Sequence, residues 1–263
     1  MIKNWDVFLF PYEQAVDELK TKFRSIRREY WNMNEYSPIE FVTGRVKKIS
    51  TIIEKARRKG VEPEQVEDIA GIRIICQLVD DIPVVVEHIR SRHNKDLTIV
   101  EERDYITNKK ESGYRSYHII INYTVLTAYG QRDILAEIQI RTLAMNFWAT
   151  IEHSINYKFG KNMPADLKAR LSDAAETANR LDEEMSRIKF EIMDAQELFM
   201  VRSDLVARII KKIQTLFFSG NLEKEEIEQL QEEFYCSRET GTMDDLRALN
   251  RKLETIQQRL FLE

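Results

Sequence analysis

The sequence predicts an α+β fold, in which a mixed central β-sheet of four to five strands is flanked by helices and followed by a helical C-terminal extension. The first observation is a strict alternation of apolar and polar residues from Ala136 to Arg141, which is typical of a β-strand. The second is that the other strand candidates lie in the same middle region, between amphipathic helical stripes. The third is a long 4–3 apolar repeat from Leu167 to Phe199, which is typical of a coiled-coil-like helix. Gly220-Asn221 interrupts this helical region, and apolar repeats that begin at Ile227 and Leu246 predict two shorter helices after it.

The elements follow from these patterns in chain order. An apolar stripe predicts a first helix from Trp5 to Trp31, and Ser37-Pro38 indicates the start of a second helix, from about Pro38 to Lys59. In that second helix, we expect Val46, Ile49, Ile53 and Ala56 to form the face that packs. The remaining elements are a strand at 72–79, a helix at 80–92, strands at 97–103, 117–125 and 133–141, and a helix at 142–159. Gly130 marks the hairpin before the last strand.

The polar face of that last strand carries Glu137, Gln139 and Arg141. An edge strand can turn such side chains to water. Here, however, the strand lies between a long apolar strand and a strongly aromatic helix, which favours a central position. We therefore favour the interpretation that these three side chains line a cleft.

Composition limits the function classes. The chain has 263 residues, a net charge of −4 and a pI of about 5.8, which does not favour a dedicated nucleic-acid binder. Two cysteines, Cys76 and Cys236, are too few for a disulfide framework or a zinc site and fit a reducing compartment. The N-terminus lacks a signal-peptide pattern, and no apolar run approaches the ~20 residues of a membrane helix. We expect a cytoplasmic protein.

The second predicted helix carries a basic arc without an acid inside it. Its members are Lys47, Lys48, Lys55, Arg58 and Lys59. Such an arc can be a solvated face, or it can bind a polyphosphate, because lysine and arginine both suit phosphate. The residues alone leave both interpretations open.

Two carboxylates, Asp68 before one strand and Glu137 within another, can share Mg²⁺, which prefers one or two carboxylates together with substrate phosphates. Tyr114 offers a ring on which a base can stack. The sequence has no His-Asp dipeptide, no Gly-x-x-x-x-Gly-Lys-Ser/Thr loop and no Gly-x-Gly-x-x-Gly motif. The missing motifs argue against a metal phosphohydrolase of the HD type and against ordinary P-loop or Rossmann nucleotide binding.

Five blocks of the chain resemble the small alarmone synthetases of the RelA/SpoT homologue family, RelQ type. The blocks are PIEFVTGRVK from Pro38, EKARRK from Glu54, DIAGIR from Asp68, ESGYRSYH from Glu111 and EIQIRTLAMNFWATIEH from Glu137. The resemblance runs from about Trp5 to Phe199. It implies a synthetase domain at 1–199 and leaves 200–263 as a helical extension, which we interpret as an oligomerisation or partner-binding element.

The resemblance implies an activity and the residues for it. Family members transfer the β,γ-pyrophosphate of ATP to the 3′-hydroxyl of GDP or GTP, which yields the (p)ppGpp alarmones of the stringent response and AMP. By motif, Asp68 and Glu137 would hold Mg²⁺, and Glu137 would also be the general base. The remaining assignments are Arg45 and Arg73 around the adenine, Lys47, Lys55 and Arg58 on the ATP phosphates, Tyr114 stacked on the guanine, and His118 and Gln139 beside the acceptor nucleotide.

The resemblance also implies a homotetramer, in which some members bind pppGpp allosterically where subunits meet. The matching residues are Arg24, Arg27, Glu40, Phe41, Thr43 and Asn146. The alternative function is a non-catalytic RNA- or nucleotide-binding regulator on the same fold, although such a module has no need of an acid at Glu137. Nucleic acid is not required by the synthetase hypothesis. The preferred acceptor among GDP, GTP and GMP stays open.

Overall fold

The computed structural model describes residues 2, 4–159, 163–220 and 222–261. Two compact units are present, Met1–Arg187 and Ile188–Glu263, and the helix α5 (Ala165–Ser219) contributes to both. Within the described residues, no helix combines the length and the apolar character that crossing a membrane requires.

A five-stranded mixed sheet forms the centre of the first unit. Its strands are β1 (Phe41–Val46), β2 (Ala70–Cys76), β3 (Thr98–Asp104), β4 (Tyr117–Thr127) and β5 (Gly130–Thr142), in the order β1-β2-β5-β4-β3. β2 and β5 run parallel, and the other neighbours are antiparallel. The predicted α+β class and mixed sheet are confirmed, and the alternating strand β5 is central.

The sheet has one apolar face, which is buried by helices. The helices of this unit are α1 (Trp5–Asn32), α2 (Ile49–Lys59), α3 (Asp81–Arg90), α4 (Leu143–Phe159) and the first part of α5. Leu19 and Phe23 of α1 pack with Ile138 and Ile140 of β5 in one buried cluster. The β-branched side chains that favour the strand therefore also bury it. Because this face is filled, a functional site on the sheet has to lie on the opposite, polar face.

The predicted helix from Pro38 to Lys59 is wrong in its first half. Residues 41–46 form β1, and helix α2 begins only at Ile49, with Lys48 as its N-cap. The side chain of Ser37 accepts a hydrogen bond from the backbone of Ile39 and so stabilises a turn instead of a helix start. At Gly44, an added Cβ would lie 2.8 Å from a side-chain atom of Val16, so close packing against α1 requires glycine there.

The later start of α2 also changes its buried face. Ile52 and Ala56 are buried, whereas Ile49 and Ile53 remain 36% and 39% exposed. The basic residues consequently do not form one helical arc. Lys47 lies in the link after β1, and Lys55 lies on the helix itself.

The second unit has a helical core of its own. It contains the last part of α5, α6 (Lys224–Glu239) and α7 (Met243–Phe261), as the repeats at Ile227 and Leu246 predicted. The buried cluster is Leu205, Ile209, Ile213, Leu216, Leu230, Phe234, Leu246, Leu249 and Leu253. Gly220 follows α5 with φ +68°, a left-handed conformation that suits glycine, whereas Asn221 lies outside the described residues.

The apolar seam predicted between Leu167 and Phe199 lies on a continuous helix, as expected. Several of its side chains, including those of Leu181, Met185, Ile192 and Phe199, are exposed in this single chain. The sequence pattern thus predicted the helix correctly, but the seam residues belong neither to the core against the sheet nor to the helical cluster of the second unit.

Candidate active site

The polar face of the sheet aligns one side chain from each strand in a single row. Thr43 lies opposite Arg73, Arg73 opposite Gln139, Gln139 opposite His118, and His118 opposite Arg103. Residues directly opposite each other project from the same side of a sheet. The alternation of β5 therefore places Glu137 and Gln139 on this face together with residues that are distant in the chain.

A cavity of about 260 Å³ opens on this face. Its lining residues are Thr43, Gly44, Arg45, Lys47, Asp68, Gly71, Ile72, Arg73, Glu137 and Gln139. The cleft predicted from the polar face of β5 is present. Gly71 stands directly opposite Glu137 in the parallel pairing, so no side chain from β2 covers that carboxylate.

Glu137 is 8% exposed, and both of its carboxylate oxygens accept hydrogen bonds. Nδ1 of His118 lies 3.0 Å from Oε1, and Nε2 of Gln139 donates to Oε2 at 2.7 Å. Burial, the largest single influence, raises the pKa of Glu137, but the interactions with His118 and the hydrogen bond from Gln139 together outweigh it, and the pKa is lowered. The carboxylate is consequently ionised at neutral pH and fixed in orientation.

Tyr114 and Arg141 extend this network from the loop before β4 and from the end of β5. The Tyr114 hydroxyl lies 2.8 Å from Nε2 of His118, and Arg141 donates to that hydroxyl and to Oε1 of Gln139. The Tyr114 ring is half-buried, with the ammonium of Lys110 4.9 Å and the guanidinium of Arg141 5.0 Å from its centroid. Cations thus lie near a ring that the sequence predicted as a stacking platform.

Asp68 lies in the loop that enters β2, and cations hold it. Its Oδ2 atom accepts from Lys47 at 2.7 Å and from Lys55 at 2.8 Å. Burial, the largest single influence, raises the pKa of Asp68, but the hydrogen bonds and the charges of the two lysines together outweigh it, and the pKa is lowered. Two members of the predicted basic arc therefore converge on a predicted metal ligand.

The residues present fit a magnesium ion. Oδ1 of Asp68 is buried without a hydrogen-bond partner, and a cation or an ordered water at this oxygen would compensate its desolvation. Within the described residues, no group of three or more His, Cys, Asp and Glu side chains is arranged to hold a metal. Asp68 and Glu137 are thus the two carboxylates that the cavity offers, and Mg²⁺ typically takes one or two carboxylates with substrate phosphates and water.

The cavity is also rich in arginine. Burial lowers the pKa of Arg73 to about 10, and repulsion from Arg141 and Arg45 adds to this lowering. Nε of Arg73 is buried without a partner. Cations that repel one another in this way favour the binding of an anion or an electron-rich aromatic face.

Not every predicted site residue reaches the cavity. Arg58 is exposed in the last turn of α2 and lies outside the lining residues that the structure describes. His118 does not line the cavity directly and contacts it through Glu137.

The predicted allosteric residues are divided between different places. Arg24, Arg27 and Phe41 line a separate groove of about 450 Å³ between α1 and β1. Arg24 donates to the carbonyl of Val42, and Arg27 lies 3.7 Å from Glu40. Thr43, by contrast, lines the cavity of Glu137, and the Oδ1 atom of Asn146 is buried in α4 without a partner.

Sequence reasoning did not assign the contacts that anchor the loop before β4. Arg115 is buried and pairs with Glu176 of α5 at 2.9 Å. Gly113 has φ +85°, and an added Cβ would lie 2.6 Å from Ala175. These partners are about 60 residues apart in the chain, and no local pattern predicts such contacts.

Comparison with known proteins supplies the family. A family model described as the region found in RelA / SpoT proteins matches residues 44–162. GTP pyrophosphokinase YjbM of Bacillus subtilis (strain 168) is 56% identical over 200 residues, which cover 75% of this chain and 94% of YjbM. The chain belongs to the RelA/SpoT family. A second member, GTP pyrophosphokinase YwaC of B. subtilis, is 42% identical over 198 residues, which cover 73% of this chain and 93% of YwaC.

Solved structures of RelA/SpoT family members agree with this assignment. Small alarmone synthetase 1 of B. subtilis bound to its product pppGpp matches with a TM-score of 0.69 and 56% identity, over 73% of this chain and 99% of that chain. A GTP pyrophosphokinase family protein of Streptococcus pneumoniae matches with a TM-score of 0.70 and 54% identity, over 75% of this chain and 98% of that chain. The family predicted from five sequence blocks is therefore confirmed.

Proposed function

We propose that this protein is a (p)ppGpp synthetase, a GTP/GDP diphosphokinase that transfers the β,γ-pyrophosphate of ATP to the 3′-hydroxyl of GDP or GTP and releases AMP. The observation that carries the proposal is one cavity that holds Glu137 and Asp68 together with Lys47, Arg45 and Arg73. The names and titles of the relatives, GTP pyrophosphokinase and alarmone synthetase bound to pppGpp, support the same reaction.

Glu137 acts as the general base. Its lowered pKa keeps the carboxylate ionised, and its two hydrogen bonds fix its orientation. It takes the proton from the 3′-hydroxyl, the 3′-oxygen attacks the β-phosphorus of ATP, and the bond from that phosphorus to the α–β bridging oxygen breaks. AMP leaves with the electron pair. Such transfer depends chiefly on positioning and on charge neutralisation.

Asp68 and Glu137 hold Mg²⁺, which neutralises the phosphate charge when it is bound. Lys47, Lys55 and Arg58 hold the ATP phosphates, and the first two contact Asp68, which lines the cavity. Arg45 and Arg73 bind the adenine between them. Tyr114 stacks on the guanine, with His118 and Gln139 next to the acceptor nucleotide.

We further propose that the protein acts in the cytoplasm as a homotetramer with a synthetase domain at 1–199. In this assembly, Arg24, Arg27, Glu40, Phe41, Thr43 and Asn146 would contribute to a pppGpp site between subunits. The extension at 200–263 serves oligomerisation or a partner. Its separate buried cluster supports an element that is distinct from the site.

The decisive experiment incubates the purified full chain with ATP, Mg²⁺ and each of GDP, GTP and GMP, and then separates the nucleotides. We expect AMP and a 3′-pyrophosphorylated guanosine nucleotide in equal amounts, and no product without Mg²⁺. Nucleotide binding without any AMP would instead identify a non-catalytic regulator on this fold.

A further inference from the structure

Arg141 closes a ring of side-chain hydrogen bonds around Glu137. Arg141 is 4% exposed at the end of β5, on the same face of the strand as Glu137. The side-chain oxygens that accept from its guanidinium belong to Tyr114, Gln139 and Ser116, and all are neutral. Burying a cation on neutral partners costs free energy, so this arrangement needs an explanation beyond stability.

The ring passes through one nitrogen atom. Nη2 of Arg141 donates to the Tyr114 hydroxyl at 2.5 Å and to Oε1 of Gln139 at 2.7 Å. From there, one arm continues through His118 to Oε1 of Glu137, and the other arm continues through Gln139 to Oε2. Both oxygens of the carboxylate are therefore linked to the same guanidinium nitrogen.

The donors and acceptors in this ring also select a histidine tautomer. Because Arg141 can only donate, the oxygen of Tyr114 accepts from it, which leaves the hydroxyl hydrogen of Tyr114 free to donate to Nε2 of His118. A neutral imidazole that accepts at Nε2 carries its hydrogen on Nδ1 and donates it to Glu137. This tautomer is assigned from the hydrogen-bond partners.

We propose that Arg141 is a positioning residue of the synthetase, which fixes the Glu137 carboxylate and couples it to the Tyr114 ring. The inference rests on the proposed function, in which Tyr114 contacts the acceptor base and Glu137 takes the proton of the acceptor. When the guanine of the acceptor stacks on the aromatic ring of Tyr114, the closed set of hydrogen bonds holds the Glu137 carboxylate in the orientation that takes the proton from the 3′-hydroxyl. Catalytic groups must be held to within about 0.5 Å for full activity.

Lysine cannot replace this arginine. Its nitrogen lies one bond nearer to the backbone than Nη2 and cannot reach both Tyr114 and Gln139, and lysine has no counterpart of the Nε atom that donates to Ser116. Arg141→Lys therefore keeps the charge and opens the ring. Tyr114→Phe opens the same ring at another point and keeps the aromatic face.

The kinetic test compares Tyr114→Phe, Arg141→Lys and the double variant, with Arg132→Lys as the matched control on an exposed part of the same strand. We expect each single variant to lower kcat by about tenfold and to leave the KM for ATP unchanged. The kcat of the double variant should equal that of the less active single variant, since opening the ring of hydrogen bonds at a second point has no further effect. Arg132→Lys should behave as wild type.

Two kinetic results would overturn the inference. If Tyr114 acts only as a stacking platform, Tyr114→Phe keeps the wild-type kcat. If Arg141 instead binds a substrate directly, the effects of the two substitutions multiply in the double variant. Tyr114→Phe removes a single oxygen atom and is expected to fold, so the measurement on this variant tests the inference even if Arg141→Lys does not fold.

A second measurement needs no turnover and separates this inference from the proposed function. Long-range ¹H–¹⁵N spectra report the tautomer of each imidazole, with His118→Asn to assign the signal. We expect the Nδ1–H tautomer in the wild-type protein and its partial or complete loss in Tyr114→Phe. An unchanged tautomer in Tyr114→Phe would show that the ring does not orient His118, whether or not the protein makes (p)ppGpp.

Discussion

The two sides of the cavity hold their carboxylates in opposite ways. On the strand side, Glu137 accepts from His118 and Gln139, and each oxygen has its own donor. On the helix side, Asp68 accepts from Lys47 and Lys55 at the same oxygen, while its other oxygen has no partner. On the strand side, the carboxylate belongs to a closed hydrogen-bond network whose members, apart from Tyr114, lie on β-strands. On the helix side, the carboxylate lies in a loop and is held by two long lysine side chains.

This difference indicates a division of work. A general base must keep one orientation, which a closed network on β-strands provides. A phosphate and metal site must exchange partners, because the lysines that neutralise Asp68 are the ones that polyphosphate would attract. In the proposed function, phosphate would draw the lysines away from Asp68 and leave its carboxylate available to Mg²⁺. The strand side thus fixes the orientation of its carboxylate, and the helix side allows its carboxylate and lysines to change partners.

The largest effect is expected on the strand side. Glu137→Gln keeps the size of the side chain but removes its basicity and its charge. We expect the rate of synthesis to fall by about 10²–10⁴-fold while the thermal unfolding midpoint stays close to that of wild type. The rate is measured as AMP release with ATP and GDP. Retention of more than about a tenth of the wild-type rate would remove Glu137 from the role of base.

On the helix side, Asp68→Asn should act through the metal. The amide leaves Lys47 and Lys55 without their counter-charge and offers a weaker metal ligand. We expect activity to fall by about 10²-fold at fixed Mg²⁺, with partial recovery as Mg²⁺ is raised. A Mg²⁺ titration of the rate measures this shift. An unchanged half-saturating Mg²⁺ concentration would contradict the assignment of Asp68 as a ligand.

Tyr114→Ala distinguishes the acceptor from the donor nucleotide. Base stacking on an aromatic ring contributes about 1–3 kcal/mol, so the KM for GDP should rise by about 5- to 150-fold. The KM for ATP should change little, because the cavity that holds Lys47 and Arg73 does not include Tyr114. An equal rise for both nucleotides would show that Tyr114 does not contact the acceptor selectively.

The smallest effect concerns a carboxylate that has neither the closed hydrogen-bond network of Glu137 nor the lysine pair of Asp68. Asp182 of α5 is buried and accepts from the hydroxyl of Thr142 at 2.6 Å. Burial raises the pKa of Asp182 from 3.8 to about 6, so its charge opposes folding as the pH rises through that interval. Asp182→Asn should therefore stabilise the protein at pH 8 by on the order of 1 kcal/mol and have little effect near pH 4. Thermal unfolding at the two pH values tests this, and equal effects at both would contradict it.

The sequence predicted those parts of the structure that local patterns determine. The alternation in β5 predicted the strand and its polar face, and the stripe of α1 and the repeats in α6 and α7 predicted their buried residues. The strand β1 was mistaken for helix, because a basic stretch after Ser37-Pro38 resembles a capped helix. The tertiary packing against Val16 explains why position 44 is glycine, and no local pattern shows that contact.

For the site, the sequence predicted that Asp68 and Glu137 lie close together, from their positions relative to the strands and from the family blocks, and both line the same cavity. It could not predict that Arg141 reaches Tyr114, because 27 residues and a hairpin separate them. It also placed Lys47 and Lys55 on one helical face. The structure brings both to Asp68 from two different elements.

The parallel pairing of β2 with β5 has a consequence for how the chain is made on the ribosome. The neighbours of β2 along the chain are not its partners on the β5 side, and about 70 residues separate Asp68 from Glu137. At about 5–20 residues per second, synthesis of that interval takes about 4–14 s. Until β5 has been synthesised, the backbone groups on one edge of β2 lack their native partner, and unpaired strand edges of this kind favour aggregation. Because β5 lies in the middle of the sheet and carries Glu137, the site is complete only after this last strand has paired.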